Sequence, residues 1–169
     1  EQRAMAADTL SVIVRDMRDF EQALKLNQEV IAWDIQRGAK FDLATSRFIR
    51  GSILRDMRDH QGALAELEAA QQLSTQLHDV MGVAYNKLLM CMSHIELGHI
   101  AVARDLCETA HQTFVEEEAS EPETFVLESL ALIDVKQGKP AIAMQRLNRV
   151  LEKDGAKLAP RRMARVYEI

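Results

Sequence analysis

The chain has 169 residues, of which 47% are hydrophobic and 28% charged, with only 3 Pro and 7 Gly. That composition can fill a core and excludes an intrinsically disordered segment. A net charge of -5 argues against a nucleic-acid-binding domain, and no apolar run reaches the roughly 18 residues of a membrane span. Neither a nucleic acid nor a membrane is therefore expected as a partner.

Aromatics make up only 5% of the residues, so the core must come from Leu, Ala, Ile, Val and Met. Charge is uneven: Asp134 to Ile169 holds 9 bases against 4 acids. The basic end carries Lys153, Lys157, Arg161, Arg162 and Arg165 with no aromatics interleaved for base stacking, and reads as a solvated helix face. Cys91 and Cys107 form no CxxC pair and read as free thiols, which fits a reduced, cytoplasmic protein. With no initiator Met and an abrupt end at Tyr167-Glu168-Ile169, the sequence reads as a piece excised from a longer protein.

In chain order, the first informative element is the string Arg15-Asp16-Met17-Arg18-Asp19. It returns unchanged as Arg55-Asp56-Met57-Arg58-Asp59, an offset of 40 residues. The same offset aligns Ala23, Ala63, Ala103 and Ala143, and also Ser11, Gly51, Cys91 and Ala131, all of them small. Another column reads Val30, Ala70, Ala110 and Val150, and Gly98 matches Gly138. Within each unit the apolar spacing is helical, as in Ile49, Ile53, Leu54 and Met57 or Leu64, Leu67, Ala70 and Leu73. Each unit thus predicts two helices broken near Asp19, Asp59, His99 or Lys139. Gly98 and Gly138 suit a left-handed helix end, and Pro140 and Pro122 suit first turns. Arg18 and Arg58, standing in the glycine column, cost about 1 kcal/mol if the backbone there is left-handed.

Short side chains let antiparallel helices approach, so Ser11 should face Ala23, Gly51 should face Ala63, Cys91 should face Ala103 and Ala131 should face Ala143. A single hairpin cannot bury its apolar faces alone and must stack on its neighbours. The fold class expected is all-α: a right-handed α-solenoid of four antiparallel hairpins at about 4–40, 41–80, 81–120 and 121–155. A truncated capping or next-repeat helix is expected at 158–169.

The small residue in mid-first-helix, the Gly before the turn, the Ala five residues later and a small residue seven further on resemble the tetratricopeptide repeat family. Cys91, Gly98, Ala103 and Ala110 carry the pattern best. The period exceeds the family's usual span of about 34 residues, and is similar to long-helix variants of bacterial signalling and transcription regulators. The resemblance implies a non-catalytic scaffold whose first helices present a concave face to a protein or peptide partner. The alternative is a homodimerisation or signal-relay module for an output domain such as a diguanylate cyclase.

The inner positions implied are Asp8, Val12, Arg15 and Asp16 in repeat one and Phe48, Ser52, Arg55 and Asp56 in repeat two. Repeat three offers Tyr85, Leu88, Met92, Ile95 and Glu96, and repeat four Phe125, Glu128, Leu132 and Lys136. The partner-binding set expected is Phe48, Ser52, Arg55, Tyr85, Leu88, Met92, Phe125, Glu128 and Leu132, an apolar groove flanked by charge that suits an amphipathic helix or extended peptide. The Asn and Lys of a carboxylate-clamp subclass are absent from these positions. No cofactor, metal or catalytic residue is expected. Cys91, His94, Cys107 and His111 have a spacing that zinc accepts, but both cysteines fall in core columns. The run Glu116, Glu117, Glu118, Glu121 and Glu123 reads as a solvated loop, and Arg15–Asp19 and Arg55–Asp59 as (i, i+4) ion pairs.

Overall fold

A computed structural model describes residues 2–154, which form eight α-helices and no strand among the described residues. In order they are α1 (Gln2–Asp16), α2 (Phe20–Arg37), α3 (Lys40–Asp56), α4 (His60–Gln76), α5 (Val80–Glu96), α6 (Ile100–Glu116), α7 (Ser120–Lys136) and α8 (Pro140–Asp154). Each helix packs on the one before and the one after it, giving a stack of four antiparallel hairpins. The helix expected from Leu158 onward lies outside the described residues.

From α2 on, a new helix starts every 20 residues, because one joint is used seven times. Arg18, Gly38, Arg58, His78, Gly98, Glu118 and Gly138 all have φ between 54° and 78°. After each, the next amide donates to a carbonyl five residues back: Asp19 to Val14, Ala39 to Asp34, Asp59 to Leu54, Asp79 to Ser74, His99 to His94, Ala119 to Phe114 and Lys139 to Asp134. This left-handed closure satisfies carbonyls that a helix end would otherwise leave unpaired. The glycines expected at Gly98 and Gly138, and the left-handed Arg18 and Arg58, stand where the repeat placed them.

The repeated Arg-Asp-Met-Arg-Asp string has a different logic from the one expected. Its last Asp caps the following helix: Asp19 accepts from the amide of Gln22 at 3.2 Å, and Asp59 from that of Gly62 at 2.9 Å. The pairs Arg15–Asp19 and Arg55–Asp59 do not form, because those carboxylates are turned to the caps. Arg15 instead pairs with Asp16 at 2.8 Å and reaches Asp56 of the next repeat at 3.7 Å. The acidic run is a loop only in part: Glu117 and Glu118 form an exposed turn, while Glu116 ends α6 and Glu121 and Glu123 lie in the first turn of α7. Glu123 is buried there, 3.3 Å from Arg149 and 3.6 Å from His111.

The aligned columns are the core. Ser11, Cys91, Ala131, Ala23, Ala63, Ala103, Ala70, Ala110 and Val150 are all within 0% exposure, and Gly51 is buried with them. The facing partners sit up to one helical turn beyond those expected. A Cβ placed on Gly51 would lie 2.7 Å from Cγ of Leu67 and 3.3 Å from the Ala63 carbonyl oxygen. At the equivalent place in repeat three, Cys91 is bonded to Cys107 rather than facing Ala103 alone, with Cα atoms 5.6 Å apart. The expectation of two free thiols is overturned. Two core columns that meet side by side both hold cysteine, and the meeting distance is that of a disulfide.

Candidate functional site: the inner face of the odd helices

Odd helices also touch one another from repeat to repeat, α1 with α3, α3 with α5 and α5 with α7. They therefore line the inner side of the stack. Two regions of that face differ in chemistry.

The first lies where α1, α3 and α5 end. A cavity of about 430 Å³ is bounded by Arg15, Asp16, Arg55, Asp56, Met92 and Glu96, with Arg18, Phe20, Arg58 and His60 at its rim. Charges here are cross-linked between repeats. Arg15 donates to the hydroxyl of Ser52 at 2.8 Å, Arg55 to Asp56 at 2.8 Å and to the thioether of Met92 at 3.4 Å, and Arg58 to Glu96 at 3.3 Å. Both ends of most pairs are part exposed, so their role is to hold direction rather than to stabilise strongly.

The second region lies nearer the helix starts. A cavity of about 250 Å³ is lined by Ala44, Thr45, Phe48, Ser74, Asp79, Gly82, Tyr85 and Asn86. Phe48 meets Tyr85 edge-on with ring centroids 6.4 Å apart, and Tyr85 leans on the buried Phe114 of α6 at 5.2 Å. Tyr85 keeps 38% of its surface exposed, making it the most open aromatic of the expected set.

The remaining expected residues fall at different depths. Phe48, Arg55, Met92, Phe125 and Leu132 are half-buried, and Met92, Phe125 and Leu132 pack on the core cluster centred on Leu88, Cys91 and Phe114. Ser52, Leu88 and Glu128 are buried, at 5%, 4% and 2% exposure. Val12 is half-buried, Ile95 buried and Lys136 exposed, while the side chain of Asp8 lies outside the described residues. Trp33 is 41% exposed on α2 beneath the guanidinium of Arg37 at 5.7 Å.

The zinc set weighed from sequence does not assemble. Both sulfurs are bonded to each other, His111 turns to Glu123, and among the described residues no three His, Cys, Asp or Glu side chains converge as metal ligands. Burial holds the His111 imidazole below its usual pKa despite the Glu123 carboxylate. A charge cluster that sequence reasoning missed joins α6, α7 and α8. Asp134, 1% exposed, accepts from Arg104 of α6 and, at 2.8 Å, from Arg146 of α8, tying repeats three and four together.

No protein-family model matches the chain, and no curated protein matches it. Solved structures do. The apo form of RapI superposes with a TM-score of 0.82 at 14% identity over 98% of this chain and 46% of its own. A Rap protein complexed with competence and sporulation factor gives 0.83 at 18% identity, over 91% of this chain and 43% of its own. The nearly identical TPR-like repeats of a Podosopora anserina protein described as a kinesin light chain give 0.76 at 15% identity, over 99% of this chain and 87% of theirs. The fold is thus an all-α solenoid of the tetratricopeptide type, and the chain spans less than half the length of the Rap structures it matches. No described helix is long and apolar enough to cross a membrane.

Proposed function

We propose that the chain is a non-catalytic interaction scaffold that seats an amphipathic helix or extended peptide on the inner face of repeats two to four. The observation that carries this reading is the Phe48–Tyr85 edge contact beside an open cavity of about 250 Å³ on the odd helices. An aromatic pair held from below by Phe114 offers rigid apolar area at little entropic cost. Half-buried Met92, Phe125 and Leu132 extend it along α5 and α7, and Arg15 and Arg55, both paired to Asp56, give it a polar end. The Rap structure solved as a complex with competence and sporulation factor supports the reading, as a chain of like fold that holds a partner.

A cytoplasmic, signalling setting belongs to the same proposal, but no longer on the ground of free thiols, because Cys91 and Cys107 are bonded. The alternative, homodimerisation or relay to an output domain such as a diguanylate cyclase, draws on the apolar edge of α1, where Leu10, Ile13 and Met17 are 44%, 50% and 74% exposed.

The test is affinity capture from host lysate and selection from a displayed peptide library, comparing wild type with Tyr85→Ala/Phe125→Ala, with the mass of each read by light scattering. The expected result is a ligand bound by wild type and weakened about tenfold or more in a variant whose helicity is intact. Collapse of helicity in the variant would give both rings to the core. A concentration-dependent dimer with no selected peptide would favour the relay reading.

A further inference from the structure

Across the turn that joins α5 to α6 inside repeat three, Nδ1 of His94 lies 3.2 Å from Nδ1 of His99, with the rings tilted and their centroids 5.4 Å apart. His94 lies in the last turn of α5, and His99 is the residue that precedes α6. Their backbones are tied, because the His99 amide donates to the His94 carbonyl in the left-handed closure common to every joint. At this position Asp19, Asp59 and Asp79 spend their side chains capping the next helix, whereas His99 makes no side-chain cap and faces His94 instead.

We propose that His94 and His99 form a two-imidazole site for a divalent transition-metal ion of the zinc, copper or nickel class, with water completing the coordination. Metal–imidazole bonds run about 2.0–2.1 Å, so two nitrogens 3.2 Å apart subtend about 100–106° at a shared ion, close to a tetrahedral angle. Imidazole is a ligand these metals favour. Binding needs the neutral rings. Glu68 of α4 acts on the His94 charge, and one repeat later its counterpart Glu108 shares Arg104 with Asp134, the counterpart of His94. The site thus joins α5 and α6 at their turn and lies beside α4. It is independent of the cysteines and of the peptide groove.

The experiment uses the 169-residue chain, free of any polyhistidine tag and stripped of metal. Zinc chloride is titrated into it by calorimetry, and the imidazole nitrogens are followed by long-range 1H–15N correlation. One equivalent should bind, with the largest shifts at Nδ1 of His94 and His99. His94→Ala and His99→Ala should each weaken binding about tenfold or more, and His78→Ala, at an exposed turn, should leave it unchanged. No saturable binding to the wild type, or binding retained by the His94→Ala/His99→Ala double variant, would overturn the proposal. Should a variant fail to fold, the nitrogen shifts of the wild type decide alone: shifts confined to other histidines refute the site.

Discussion

Gly51 sits in the middle of α3, where replacement by alanine sets two effects against each other. A glycine in a helix interior costs about 0.8–1.0 kcal/mol relative to alanine, so Gly51→Ala ought to stabilise an isolated helix. In the hairpin the new methyl carbon would lie 2.7 Å from Cγ and 2.9 Å from Cδ2 of Leu67. Leu67 is 0% exposed and Cγ is its branch point, so the neighbour cannot swing clear. Overpacking of this kind costs about 1–3 kcal/mol, which exceeds the gain in propensity. The expected net loss is about 1 kcal/mol, a fall in Tm of about 2–4 °C by circular dichroism. Leu67→Ala alone should cost about 2–5 kcal/mol through the space it empties. In Gly51→Ala/Leu67→Ala the added methyl enters that space, so the double variant should lose less than the sum of the two. Repeat four supplies the alternative, because Ala131 and Leu147 occupy the same two columns and pack in one cluster. If Gly51→Ala raises Tm, or if the two changes simply add, α3 and α4 can open to the spacing of α7 and α8, and the close approach at Gly51 is not a constraint.

Four of the seven left-handed joints lack glycine and invite substitution by it. Arg18→Gly, His78→Gly and Glu118→Gly relieve φ values of 65°, 56° and 54° and should each stabilise by about 1 kcal/mol in urea melts. A neutral or destabilising result at His78 would contradict its backbone geometry. For Asp134, burial pushes the carboxyl pKa up, but the guanidiniums of Arg104 and Arg146 outweigh it and hold the group below the ordinary carboxylate value. A folded-state value lower than the unfolded one, about 3.9, means the contribution is full above that pH and is lost as pH falls through the folded value. Asp134→Asn should therefore be less stable at pH 7 and lose less stability than wild type on acidification below about pH 4. Parallel pH profiles of the two proteins would show that the pair contributes nothing.

Sequence periodicity reports what packing demands of every repeat, and that is why the small columns were legible. Ser11, Gly51, Cys91 and Ala131 must all be short because a helix crosses each of them, and all four are buried. The same periodicity is silent on rotation about the helix axis. Whether Cys91 meets Ala103 or Cys107 depends on about one turn of relative displacement, which no spacing rule fixes, and the bonded cysteines were missed for that reason. The joints between repeats were hidden for another reason. Their left-handed residue is imposed by two backbone hydrogen bonds, so His78 and Glu118 adopt it without the glycine that would signal it. The inner face shows both limits at once. An odd helix turns Tyr85 and Leu88 toward the same side, yet Tyr85 is 38% exposed and Leu88 4%, because Leu88 is inside the core cluster with Cys91 and Phe114 while Tyr85 only leans on Phe114 from outside it. Nor does charge single out a ligand, since Arg15 and Arg55 are answered within the face by Asp16 and Asp56. If a peptide seats there as proposed, its selection has to come from shape, and the shape on offer is the step between Phe48 and Tyr85.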